Sequence, residues 1–172
     1  MNVLLGMISA TLIVLSLAVT ASPASDKDDL LIAAAERNDV ESVKRLLRDG
    51  AGVQARDAQG RTALMAATYR NHVEVAKVLI EAGSDVNAQD AIQNSPLLFA
   101  GASGYLDILR MSLAARPDFT VYNRYGGTAL IPACERGHVD VVKELLKTRV
   151  DVNHVNRLRS EEHTSELQSR SA

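Results

Sequence analysis

Aromatic residues and excess charge are scarce in this sequence, and both shortages exclude functions. Aromatic side chains make up 3% of the 172 residues and tryptophan is absent, so a platform for stacking nucleic-acid bases is not expected. The 19 Lys and Arg residues nearly balance the 21 Asp and Glu residues, which leaves a net charge of −2. Such a balance does not favour a phosphate-binding surface. We therefore expect no nucleic-acid partner.

Motifs for catalysis and metal binding are also missing. Cys134 is the single cysteine, so no intrachain disulfide can form. The sequence contains no HExxH zinc motif, no pair of CxxC motifs, no phosphate-binding loop and no Gly-x-Ser-x-Gly nucleophile motif. We expect no enzymatic activity, no cofactor and no metal ion.

A repeat with a period of 33 residues is present instead. The tripeptide Thr-Ala-Leu at Thr62 recurs as Ser-Pro-Leu at Ser95 and as Thr-Ala-Leu at Thr128. The same step relates Asp57 to Asp90, and then to an asparagine in the next copy. A fixed period of this length predicts a solenoid in which successive helical units stack and bury a shared core.

The copies resemble ankyrin repeats, a family with a Thr-Pro-Leu-His-x-Ala pattern. Residues 127–146 come nearest to that pattern, and the resemblance extends over about residues 26–158. It implies an all-α ankyrin-repeat solenoid of about four helix-turn-helix repeats joined by β-turn or hairpin loops. The amino-acid sequence of the third and fourth copies further resembles exported bacterial ankyrin proteins. We assign residues 22–28 to a linker and residues 29–158 to the repeats, which divide at about 29–56, 57–89, 90–122 and 123–155.

Several positions within the repeats predict local geometry. Thr62 is expected to cap the first helix of its repeat through its hydroxyl group. Asn38 and Gly50 lie at helix ends, where a left-handed backbone is needed. Arg116 replaces a glycine at the equivalent helix end of the third repeat, and we expect its loop to be distorted because arginine is strained in that conformation.

The two ends of the chain differ from the repeats. Residues 3–21 are apolar or small and carry no charge, which predicts a signal peptide of residues 1–21 cleaved near Ala21. The alternative is an uncleaved membrane anchor, because the segment is just long enough to span a bilayer. Export would place the protein in the periplasm or outside the cell, with membrane contact only if this segment is retained. Residues 159–172 include Arg-Ser-Glu-Glu-His-Thr-Ser-Glu-Leu-Gln-Ser, which resembles a translated sequencing adapter, so we predict a non-native tail.

Cys134 and His138 are four residues apart and could form a nucleophile and its base. However, the repeat period aligns Cys134 with small residues in other copies and aligns His138 with His72. We interpret the pair as a buried small residue and a structural histidine at a turn.

The ankyrin resemblance implies that a partner docks on the concave face, which is formed by turn tips and first helices. The chain is interpreted as an exported, non-catalytic adaptor that binds another protein and is itself a monomer. Two alternatives are a regulatory or stabilising subunit of a partner enzyme and a membrane-anchored scaffold. Tyrosine and arginine are frequent in binding hot spots, although an ordinary solvated surface would suit any one of these positions equally well. The predicted partner-binding residues are Arg61, Tyr69, Arg70, Ile92, Arg124, Tyr125, Glu135 and Arg136.

Overall fold

The computed structural model describes residues 23–156, which contain eight helices in four antiparallel pairs and no strand. The all-α solenoid is thus confirmed. The predicted signal peptide and the predicted non-native tail lie outside the described residues. No helix within residues 23–156 combines the length and apolar content that a membrane span requires. The helices are α1 (Pro23–Glu36), α2 (Val40–Arg48), α3 (Ala63–Tyr69), α4 (Val73–Glu81), α5 (Pro96–Ser103), α6 (Leu106–Ala114), α7 (Leu130–Glu135) and α8 (Val139–Leu146).

The first helix of each central repeat begins at a side-chain cap. Thr62 Oγ1 accepts a hydrogen bond from the Met65 backbone N–H at 3.3 Å, and Ser95 Oγ does the same for Leu98 at 3.3 Å. These bonds satisfy one of the free N–H groups at a helix start. The predicted cap at Thr62 is confirmed.

The fourth repeat begins differently because of Pro132. In repeat two, Ala66 donates its backbone N–H to Thr62 O at 3.0 Å, but Pro132 occupies the equivalent position and has no N–H to donate. The Thr128 hydroxyl is also buried without a hydrogen-bond partner, and α7 begins one residue later than its counterparts.

The core runs continuously through the stack. Leu64, Leu97 and Leu130 are buried at equivalent places in successive repeats. Small residues let the helices approach closely, since the alanine at one helical position is buried in every repeat. These alanines are Ala34, Ala67, Ala100 and Ala133. Because each repeat buries its apolar face against its neighbours, stability belongs to the array.

The prediction that residues 22–28 form a linker is wrong, because α1 starts at Pro23. Proline suits the first position of a helix, and an acidic residue, Asp26, in the first turn complements the helix dipole. The added turns are held by long-range bonds: Lys27 Nζ donates to Asp49 O at 2.8 Å, and the Gly52 N–H donates to Asp28 Oδ1 at 2.5 Å.

The helix ends adopt the left-handed backbone where it was predicted, with φ of 60° at Asn38 and 84° at Gly50. The expected distortion at Arg116 is wrong, because this residue also has a positive φ of 56°. Its N–H still donates to Leu113 O at 3.2 Å, and Asn87 Oδ1 accepts from the Asp118 N–H at 2.8 Å. These bonds keep the loop in the regular geometry despite a strain of about 1–2 kcal/mol at arginine.

Candidate binding groove

The turns between repeats are shaped by one side chain each, at Asp57, Asp90 and Asn123. The side-chain Oδ1 of each accepts two backbone N–H groups, from the residues two and four positions further on, at distances between 2.8 and 3.1 Å. This pattern folds the turn over the polar side chain. The residue two positions on therefore lies at the tip of each turn; we call Gln59, Ile92 and Tyr125 the turn tips.

Hydrogen bonds that join residues about 33 positions apart hold the turns to one another. The Arg56 guanidinium donates to Gln89 O at 2.5 Å, and Gln89 Nε2 donates to Tyr122 O at 2.7 Å. The Ala91 N–H also donates to Gln59 O at 2.9 Å. The spacing of the turn tips is consequently fixed by direct contacts between neighbouring turns.

Two hollows lie between the turns and the first helices. One, which we call the distal hollow, is at repeats three and four and has a volume of about 360 Å³. Its rim carries the turn tips Ile92 and Tyr125, whose side chains are 50% and 42% exposed. Partly buried apolar side chains form its floor, and charged side chains surround it. The lining includes Phe99, Ile131 and Pro132, together with Arg124, Glu135 and Arg136.

The proximal hollow, at repeats two and three, adjoins the first and shares Ile92 with it. Tyr69 stands in this hollow; its hydroxyl donates to the Asp90 carboxylate and accepts from Asn94 Nδ2 at 3.1 Å. The Tyr69 ring meets Phe99 edge-on, with 4.4 Å between centroids. Burial, together with the hydrogen bond to Asp90, raises the pKa of Tyr69 to about 12. The phenol is therefore a fixed neutral donor at physiological pH.

Charges near the proximal hollow are paired within the chain. Arg61 Nε lies 2.7 Å from Asp57 Oδ2, and its Nη1 lies 3.6 Å from Glu36 Oε1. Arg70 Nη2 also lies 3.6 Å from Glu36 Oε1. These guanidinium groups already have carboxylate partners.

The distal hollow differs in its charges. Arg136 Nη1 donates to Ala102 O at 2.5 Å, and the Arg124 guanidinium lies 4.7 Å from the centre of the Tyr125 ring. Neither arginine forms an ion pair with a carboxylate of residues 23–156. Both guanidinium groups thus keep the capacity to pair with a carboxylate from outside.

Most of the sequence-predicted binding residues meet at these two hollows. Arg70 is the exception: it lies outside both and pairs with Glu36. The floor formed by Phe99, Ile131 and Pro132 was missed, because apolar residues near a helix start are read as packing within the stack. The residues that the structure brings together are Arg61, Tyr69, Ile92, Arg124, Tyr125, Glu135 and Arg136.

The other candidate pair, Cys134 and His138, does not reach the groove hollows. The prediction that Cys134 is buried is wrong, since its side chain is exposed. The equivalent Gly101 is buried because Ala129 of the next repeat lies against it, and no described residue covers Cys134 in the same way. His138 packs against Gly104. Within the described part of the chain, no group of His, Cys, Asp or Glu side chains is arranged to hold a metal ion.

Stacked helical pairs joined by hairpin turns, with a groove between turns and first helices, define the class of helical-repeat solenoids. Comparison with known families specifies the repeat. Profiles described as ankyrin repeats match residues 9–90 (three copies), 70–111 (many copies) and 125–157 (a single repeat). The chain is an ankyrin-repeat protein.

Solved structures of ankyrin proteins are similar to this chain. The crystal structure of the ankyrin repeat domain ABAYE2397 from Acinetobacter baumannii AYE is 55% identical with a TM-score of 0.73, and the match covers 74% of this chain and 65% of the other. The ankyrin repeat protein EF0377 is 44% identical with a TM-score of 0.72, with 75% and 66% covered. This chain spans slightly less than two thirds of each of those proteins. No curated protein matched the sequence.

Proposed function

We propose that this chain is an exported, non-catalytic adaptor whose partner, another protein, docks in the groove formed by the proximal and distal hollows. Ankyrin repeats are protein-interaction modules, which gives the general class. The observation that carries the assignment is the pair of half-exposed turn tips, Ile92 and Tyr125, above an apolar floor. Contiguous exposed apolar surface with a polar rim is characteristic of interaction sites.

Export is a further part of the proposal. Export is supported by the uncharged apolar segment at residues 3–21 and the small residues around Ala21. Intact mass of the protein recovered from its producing cells tests this: loss of residues 1–21 supports a periplasmic or secreted protein. Retention of that segment supports the membrane-anchored scaffold instead.

Capture from a periplasmic extract tests the groove. A tagged chain should retain its partner, and the double variant Tyr125→Ala plus Arg136→Ala should retain at least about tenfold less, because one hot-spot residue typically contributes 2 kcal/mol or more. The matched control is Glu74→Ala plus Lys77→Ala, which removes two exposed side chains from α4, away from both hollows.

Two outcomes would change the proposal. Equal capture by both double variants would show that the partner docks elsewhere on the chain. If the captured protein is an enzyme whose activity changes on binding, the adaptor assignment gives way to the alternative of a regulatory subunit.

A further inference from the structure

The distal hollow combines features that specify the chemistry of its occupant. Its rim and floor are apolar: Ile92 and Tyr125 stand on the rim, and Phe99 and Ile131 are partly buried beneath them. A bulky apolar side chain placed between the turn tips would remove both tips from water, which is the main source of binding free energy at such a site.

The charges around the distal hollow favour an acidic neighbour. The lining contains two arginines, Arg124 and Arg136, and one carboxylate, Glu135. It therefore has an excess of one positive charge, although the net charge of the whole chain is −2. Near the proximal hollow, by contrast, Arg61 and Arg70 are already paired with carboxylates of the chain. A partner gains little by displacing existing ion pairs, but it gains more from guanidinium groups that are not paired with a carboxylate of residues 23–156.

Both distal arginines are also held in place before any partner arrives. Arg124 is positioned over the Tyr125 ring and Arg136 by its bond to Ala102 O, one on the turn and the other at the end of α7. A guanidinium that is already oriented loses less conformational freedom when it pairs with a carboxylate.

We propose that the distal hollow binds an extended acidic segment of a partner protein, with one bulky apolar side chain between Ile92 and Tyr125 and flanking carboxylates on Arg124 and Arg136. This inference rests on the proposed function, because it names the chemistry of the partner at the same groove. A basic segment would meet two guanidinium groups and is disfavoured.

Fluorescence anisotropy with the full chain and three labelled synthetic peptides tests the proposal. The first has a central phenylalanine flanked by aspartates, the second has the same phenylalanine flanked by lysines, and the third has alanine between the aspartates. The first peptide should bind roughly tenfold or more tightly than either of the others. Equal binding of the acidic and basic peptides, or of the phenylalanine and alanine peptides, would overturn the inference.

Single variants of exposed residues provide a second measurement that does not depend on peptide design. Arg124→Glu should weaken binding of the acidic peptide by roughly three- to tenfold, and Glu135→Gln should strengthen it, because the two changes move the local charge in opposite directions. Lys77→Glu makes the same charge change as Arg124→Glu on α4, away from the hollow, and should leave binding unchanged. If Arg124→Glu and Lys77→Glu weaken binding equally, the effect is one of net charge and the site is wrong.

Failure of this inference can be told apart from failure of the proposed function. If a captured partner is lost on Tyr125→Ala plus Arg136→Ala while the chain binds the acidic and basic peptides equally, the groove is supported as the docking site. The acidic occupant is then ruled out. If the acidic peptide binds as expected and capture is unaffected by the double variant, the hollow has the inferred chemistry and the partner docks at another surface.

Discussion

Tyr69 shows how a single side chain on the groove is fixed in both position and protonation. Its hydroxyl joins Asp90 and Asn94, and its ring packs against Phe99, so it connects a turn to two first helices. The folded state favours the neutral phenol, since ionisation would place a negative charge in a partly buried site next to a carboxylate.

This environment predicts a dependence of stability on alkaline pH. The pKa of Tyr69 is raised in the folded state to about 12, above its ordinary value of 10.0, so the unfolded chain releases this proton first. The stabilisation is fully present below pH 10 and is lost as the pH rises through 12. Absorbance titration of tyrosinate should show a late component, and Tyr69→Phe should remove it.

The control for that titration is Tyr122→Phe, which removes a tyrosine from the surface and leaves the Tyr69 contacts intact. The late component should persist in this variant. Its persistence in Tyr69→Phe would contradict the assignment, as would an unchanged alkaline unfolding midpoint in that variant.

At the level of the helices, the junction between the two helices of a repeat needs a residue with a left-handed backbone. Gly104 ends α5 with a φ of +78°, and a Cβ placed on it would lie 2.7 Å from His138 Nδ1. Gly137 follows α7 with a similar φ of +71°, and nothing lies within 4 Å of its Cβ position. Substitutions at the two glycines therefore distinguish the effect of backbone strain, which both share, from the effect of inter-repeat packing, which only Gly104 has.

Substitution of these glycines should give unequal losses of stability. Gly137→Ala should lower the free energy of unfolding by about 1–2 kcal/mol, since alanine is strained in the left-handed region. Gly104→Ala should cost a further ~1–3 kcal/mol, because the His138 ring must move out of a packed position. Denaturant unfolding of the two variants measures the difference, and equal losses would show that the close packing of Gly104 against His138 has no energetic consequence.

At this same scale, the elements show what the sequence can predict. The period of 33 residues located the helix pairs, the Thr62 cap and the buried leucines, because these features depend on residues close together in the chain. The start of α1 at Pro23 was not predicted, since the first copy lacks the turn residues that mark a repeat boundary. The missing Thr128 cap was not predicted either, because Thr128 matches Thr62 in the repeat pattern although its hydroxyl has no hydrogen-bond partner.

The candidate groove was predicted in part for a related reason. Turn tips such as Ile92 and Tyr125 could be identified because repeat position determines which residues project from a turn. The apolar floor at Phe99 and Ile131 could not, because the period does not tell whether an apolar side chain faces the neighbouring helix or an open hollow. Nor does it show which arginines are already paired inside the chain.

For the molecule as a whole, the four repeats are not equally well covered. In α8, Val139 and Leu146 are 59% and 54% exposed, whereas the equivalent Val73 and Ile80 of α4 are partly buried and pack against the core. Less apolar surface is therefore buried in the fourth repeat than in the second.

Hydrogen exchange should reflect this difference. Backbone amides of α8 should exchange at least about tenfold faster than those of α4, because local opening is easier where fewer apolar contacts are lost. Exchange followed by NMR or mass spectrometry measures both helices in one sample. Equal protection of α4 and α8 would mean that the array opens as a single cooperative unit.

The bonds from Arg56 to Gln89 and from Gln89 to Tyr122 set a constant distance between successive turns, with one turn per repeat. A partner that contacts Ile92 and Tyr125 together must therefore match the interval between two successive turns. Exchange of a complete repeat preserves that interval and changes only the side chains displayed on it. Insertion of a single residue between Gln89 and Tyr122 displaces one turn relative to the next. Recognition should then fail even where every contacting side chain is retained.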